Sequence, residues 1–308
     1  MKNFIIVLII IILIGFSAYF LTRGTPQNLD VLPAQKAPTG LVGTIDLTPS
    51  ASSTSPIAPS PKGETVIGQS VLGNAITAYH YGTGSKEILF VGGIHGGYSW
   101  NTALVAYDLT DYLKANPDVI PATVRVSVIP VLNPDGLSKV VGTAGRFTKS
   151  DVPVELAARI PGRFNENKVD LNRNFDCDWQ ASAKWQNTTV SGGTKAFSEP
   201  ESLAIRNYVE MSKPVAVVVW YSAAGGVFAS SCRDGVLPET LALTNLYAKA
   251  SGYSAHEDFD FYETTGDMVN WLAKQKIPAI SVLLSTHEEV EWNKNRAGIE
   301  ALLQHYGK

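Results

Sequence analysis

The chain has 308 residues, 45% of them hydrophobic and 17% charged, with a net charge of −3 at pH 7. Such a length suits one sizeable domain with appendages, because a single core serves up to roughly 250 residues. Lysine and arginine are scattered and not in excess, which leaves nucleic-acid binding without an electrostatic footprint.

The first element is FIIVLIIIILIGFSAYFL, Phe4 to Leu21, an uncharged run close to the length that crosses a hydrocarbon core about 30 Å thick. A cleaved signal peptide has a shorter apolar region and an A-x-A-like exit. Residues 1–23 are therefore expected to be an uncleaved signal anchor, a transmembrane helix that places the folded part outside the cytoplasm. Lys2 and Arg23 flank the run and set little orientation bias. Residues 24–63 are rich in Pro, Ser, Thr and Ala with little apolar period, which predicts a flexible tether. A folded domain is expected over 64–308.

Within it, ETVIGQSVLGNAITAYHYG (64–82) predicts two strands joined at Gly73-Asn74, and EILFVGGIH (87–95) a buried strand. ALVAYDLTDYLKA (103–115) has helical spacing, and VRVSVIPVL (124–132) is a strand. PESLAIRNYVEMS (200–212) is a helix with Pro200 early, where its missing N–H is harmless. Then come VAVVVWYS (215–222, strand), PETLALTNLYAKASG (238–252, helix), AISVLLS (279–285, strand) and a final helix over 289–307. Apolar strands alternating with amphipathic helices imply an α/β fold: a mixed, mostly parallel sheet covered on both faces. Ligands sit beyond the carboxyl ends of such strands, which directs attention to the loops after Val91, Val131, Ser222 and Leu284.

Those loops carry GGIHGGYSW, NPDG, WYSAAGG and LLSTHEE, with DLNRNF between the second and third. NPDG and DLNRNF are each weak alone and together specific. In this order the motifs resemble the zinc metallocarboxypeptidases, carboxypeptidase A-like peptidases, from about Glu64 to the end. The resemblance implies an α/β/α domain with one zinc. The metal is held by a His, a Glu three residues on and a second His ending a later strand; a Glu on the last central strand is the general base. Three protein ligands leave an open position where zinc-bound water becomes acidic, and the carboxylate takes its proton.

Matched residue by residue, only His95 stands where the family has a ligand. Tyr98 replaces the glutamate, Tyr221 the second histidine and Leu283 the general base. A single histidine is a poor zinc site, so no catalytic residue and no cofactor are expected, and the resemblance is to a pseudoenzyme. The substrate-holding part persists. Asn172 and Arg173 match the pair that binds a peptide's terminal carboxylate, Arg163 the arginine that polarises the scissile carbonyl, and Tyr262 the tyrosine that covers the substrate. Arginine's planar fork suits a carboxylate. The implied partner is a peptide C-terminus, with cell-wall peptides one option. Arg173 could instead pair with Asp170 or Asp178 to hold a loop, and Tyr262 could simply pack.

Two other functions stay open at this point: a working zinc carboxypeptidase with unorthodox ligands, such as a Tyr221 phenolate or a glutamate of the last loop, and a structural or partner-binding module. No G-x-S-x-G elbow, Walker-type loop or C-x-x-C pair occurs, and Ser222 has no evident histidine partner. Thr286 and Glu289 read as a capping box for the final helix. His80, His256 and His305 are expected at solvent or edges. Cys177 and Cys232 fit one disulfide outside the cytoplasm, or two buried thiols.

Overall fold

The computed structural model describes residues 63–308; the anchor expected over 1–23 and all but the last residue of the tether lie outside them. In chain order come β1 (Glu64–Gln69), β2 (Ala75–Tyr81), β3 (Lys86–Val91), α1 (Trp100–Ala115), β4 (Val124–Ile129) and α2 (Pro134–Val141). The one-turn α3 (Leu156–Arg159) and a hairpin of β5 (Ser182–Trp185) and β6 (Thr188–Ser191) follow. Next are α4 (Pro200–Ser212), β7 (Ala216–Ser222), β8 (Gly226–Ala229), α5 (Pro238–Ser251) and β9 (Ser254–His256). The series closes with α6 (Met268–Lys274), β10 (Ala279–Leu284) and α7 (Trp292–Tyr306). Among the described residues no helix is long and apolar enough to cross a membrane.

Eight strands form one sheet in the order β1-β2-β4-β3-β7-β10-β8-β9. Its centre, β4-β3-β7-β10, is parallel, whereas β2 runs antiparallel to both β1 and β4, and β8 runs antiparallel to β10 and parallel to β9. The expected mixed α/β sheet is thus present. Alternation along each strand divides its side chains between two cores. In β7, Val217, Val219 and Tyr221 join the face packed by α4 and α6, while Val218 and Trp220 meet α1, α5 and α7. The same parity sends Leu283 of β10 to the first face and Leu284 to the second.

The motifs have local causes. In NPDG, Asn133 caps α2 by accepting from the Gly136 N–H at 2.8 Å, and Pro134 occupies the first turn. Gly96 has φ +41°, and a Cβ there would lie 2.6 Å from both the Gly136 carbonyl carbon and the Gly162 oxygen. Glycine lets the His95 loop, α2 and the GRFN segment meet backbone to backbone.

Two local expectations fail. Helix α7 begins at Trp292, not 289, and Thr286 makes no capping box. Its hydroxyl accepts from the Glu288 and Glu289 N–H groups at 3.1 Å, closing a turn, while the Glu289 carboxylate reaches Lys149 instead. His80 is not at an edge facing water: it is half-buried in β2, with ring nitrogens 2.9 Å from the Ser127 hydroxyl and 3.1 Å from that of Thr65.

Candidate functional site

A cleft of about 650 Å³ opens at the carboxyl ends of β3, β7 and β10, lined among others by His95, Tyr98, Arg163, Asn172, Arg173 and Tyr221. The sequence-predicted residues therefore converge, together with Tyr262 and Leu283. Parallel register pairs Leu283 with Tyr221, and their shared parity puts both on the cleft floor.

Asp170 organises the wall. Its Oδ2 accepts from Arg163 Nε at 2.9 Å and Nη2 at 2.8 Å, and its Oδ1 accepts from the Asn172 N–H at 3.1 Å and lies 3.3 Å from His95 Nε2. Arg163 holds this carboxyl well below the usual range, against the opposing effect of burial. The Arg163 guanidinium is also stacked 4.3 Å from the Trp185 ring and 5.6 Å from that of Tyr98. Tyr98 in turn meets Trp185 and His287 edge to face, at 5.1 and 4.7 Å. The side chain in the glutamate's place thus fills an aromatic stack.

Tyr221 donates to Asn172 Oδ1 at 3.1 Å, and Asn172 Nδ2 donates to Asp267 Oδ2 at 2.7 Å. Asp267 caps α6 by accepting from the Val269 and Asn270 N–H groups. Burial, with the Asp267 charge, pushes the Tyr221 phenol well above its ordinary pKa. In this arrangement the phenol is a hydrogen-bond donor to Asn172.

Arg173 pairs with neither Asp170 nor Asp178. Its Nε donates to the Lys184 carbonyl at 2.8 Å and its Nη1 to the Asn172 carbonyl at 2.6 Å, while Nη2 is buried with no partner. Orphaned buried donors cost about 1–3 kcal/mol, and this one belongs to a residue that lines the cleft. Tyr262 lies 5.9 Å from the guanidinium, ring centroid to Cζ.

Sequence reading missed a partner for Ser222: its Oγ is 2.9 Å from His287 Nδ1 and 3.1 Å from Asn101 Oδ1. Asn101 spends its amide donors on the Thr286 and Glu289 carbonyls, so its oxygen must accept. The single serine proton goes to Asn101, and His287 Nδ1–H donates to Ser222. That direction ties loop 286–289 to β7 and does not prepare a nucleophile, which needs its base to accept.

Zinc does not fit this donor set. Of the family's ligand positions only His95 carries a metal-type side chain; the Tyr221 hydroxyl donates to Asn172 and Tyr98 fills the aromatic stack. The one trio of metal-type side chains among the described residues is Cys177, Asp178 and Cys232. Its two sulfurs are joined in a disulfide, and Asp178 pairs with Arg233.

Burial, then Arg163, lowers His95 to about 4 despite Asp170, and burial with Arg159 lowers His287 to about 4. Unfolded, both titrate near 6.5. As pH falls from 6.5 to 4 the unfolded chain therefore takes up protons the folded one refuses, and stability drops across that window. The urea midpoint should decline over it, and a His95→Gln/His287→Gln variant should show a shallower slope. Equal slopes would contradict the assignment.

Residues 59–299 match the family model described as zinc carboxypeptidase. The chain belongs to the zinc carboxypeptidase family. Over 219 residues it is 26% identical to a gamma-D-glutamyl-L-diamino acid endopeptidase of Lysinibacillus sphaericus, covering 64% of this chain and 54% of that protein. Over 171 residues it is 27% identical to murein peptide amidase A of Vibrio campbellii, covering 51% and 65%. The chain thus spans less than two thirds of either relative. The crystal structure of a murein-tripeptide amidase from Escherichia coli O157 shares the carboxypeptidase fold, with a TM-score of 0.53 at 20% identity over 79% of this chain and 92% of that one.

Proposed function

We propose that this zinc-carboxypeptidase relative is a binding protein: anchored in the membrane by residues 1–23, it holds peptide carboxyl ends outside the cytoplasm and does not hydrolyse them. The observation that carries this reading is the unpartnered Arg173 Nη2, kept in a cleft whose expected zinc ligands and base are Tyr98, Tyr221 and Leu283. The anchor rests on the apolar run Phe4–Leu21, and the Cys177–Cys232 disulfide suits an oxidising compartment. Cell-wall peptides are the favoured ligand class, since two relatives are named for murein or γ-glutamyl peptide cleavage.

A carboxylate entering the cleft completes Arg173 with a charge-assisted hydrogen bond, and the neighbouring Arg163 adds positive potential. Binding is tested with one peptide as free acid and as amide. The acid should bind more than about tenfold tighter, and Arg173→Ala should remove that difference, since losing one partner of a buried charge pair costs about 2–5 kcal/mol. Equal affinity of acid and amide for the natural chain would refute the reading. No shortened peptide should form on long incubation.

A further inference from the structure

Of the described residues that line the cleft, two carry buried side-chain nitrogens with no hydrogen-bond partner. One is Arg173, through Nη2; the other is His95, which is 4% exposed. Their neighbours are engaged. Asp170 accepts from Arg163 and Asn172, Asn172 bonds to Tyr221 and Asp267, and Asp267 caps α6.

The surroundings of His95 fix what it offers. Its Nε2 lies 3.3 Å from Asp170 Oδ1, and against the effect of burial Arg163 keeps that carboxyl ionised. A carboxylate only accepts, so this approach is attractive when the imidazole proton sits on Nε2. Burial keeps the ring neutral at pH 7, which leaves Nδ1 without a proton. His95 Nδ1 is therefore a lone-pair acceptor, and no donor among the described residues reaches it. Tyr221 neighbours both orphans. Its ring is 5.8 Å from that of His95, and its hydroxyl is 3.1 Å from Oδ1 of Asn172, the residue before Arg173.

The cleft thus lacks an acceptor for Arg173 and a donor for His95. A peptide end supplies both: a carboxylate, the N–H of the same residue, and another N–H about 3.3–3.6 Å further back. We propose that His95 Nδ1 accepts a hydrogen bond from a backbone N–H of the bound peptide end, so that this residue selects amide-linked ends over ester-linked ones. The inference rests on the carboxylate-binding reading above. An ester at the same bond replaces the donor with an oxygen whose lone pairs face that of Nδ1, with little change of shape. Leaving the buried acceptor unpaired in this way lowers affinity about tenfold.

The test titrates the full-length chain, in neutral detergent, into fluorescent hexapeptides of one sequence ending Ala-Ala. The set holds the all-amide acid, its C-terminal amide, and two acids with an ester in place of the last or the preceding peptide bond. One of the two esters should bind about tenfold more weakly than the all-amide acid. His95→Leu should weaken the all-amide acid to the level of that ester and abolish the difference between them. His95→Asn, whose Oδ1 can stand where Nδ1 was, should keep it. Should His95→Leu misfold, the ester series on the natural chain and on His95→Asn still decides. If both esters bind within about twofold of the all-amide acid, or if the loss persists in His95→Leu, the role of His95 is overturned; weaker binding of the C-terminal amide then leaves the carboxylate reading standing. If the C-terminal amide binds as tightly as the acid, the carboxylate reading falls and this inference with it.

Discussion

Replacing Asp170 with alanine is expected to destabilise the domain by about 3–5 kcal/mol, the usual cost of leaving a buried charge without its partner. Arg163 is 2% exposed, and its Nε and Nη2 both donate to that carboxylate. Its remaining support is stacking on Trp185 and Tyr98, which cannot replace an anion. The same substitution takes a contact from His95 and the side-chain acceptor from the Asn172 N–H. Urea unfolding at neutral pH reads the loss. Adding Arg163→Met should recover a good part of it, because the pair replaced by apolar groups is far less costly than half a pair. A loss under about 1 kcal/mol for Asp170→Ala would mean that Arg163 finds another acceptor, and the cleft wall would need reassignment.

The second large effect is a gain. The Tyr98→Glu/Tyr221→His/Leu283→Glu variant should take up one zinc per chain. Leu283 pairs in register with Tyr221, and both line the cleft with His95 and Tyr98. A histidine and a glutamate would therefore arrive on the floor beside the existing His95. Zinc held by several pre-arranged ligands gains on the order of 10 kcal/mol, enough to outweigh the lost aromatic contacts of Tyr98 and the hydrogen bond of Tyr221. Peptide cleavage gained by the variant would show that Arg163, Arg173 and Asn172 still present substrate correctly. If the natural chain already hydrolyses peptides and the three changes add little, the reading of a lost active site fails.

The parallel centre of the sheet was readable because AVVVWYS and AISVLL are apolar on both faces, as only a doubly covered strand requires. Convergence of His95, Arg163, Asn172, Arg173 and Tyr262 was readable through motif order, since each follows a strand end or a capped turn. What escaped sequence reading depends on partners far along the chain. The Tyr221–Asn172–Asp267 relay joins three segments. Ser222 finds His287 only because β7 and β10 lie side by side. Trp185 reaches Arg163 from a small hairpin with no strong alternation. The start of α7 was misjudged because Thr286 with Glu289 has capping-box spacing, whereas Glu289 is drawn away to Lys149. The expectation of solvent or an edge for His80 fails because one histidine in a strand gives no sign of the hydroxyls of Ser127 and Thr65 that enclose it.

The most direct test of the account is zinc stoichiometry by elemental analysis of the full-length chain, equilibrated with a slight molar excess of zinc and then dialysed. Well under one zinc per chain is the predicted result, with no change when His95 is replaced by glutamine. One zinc per chain, lost on His95→Gln, would contradict it and return the protein to the working enzymes of its family.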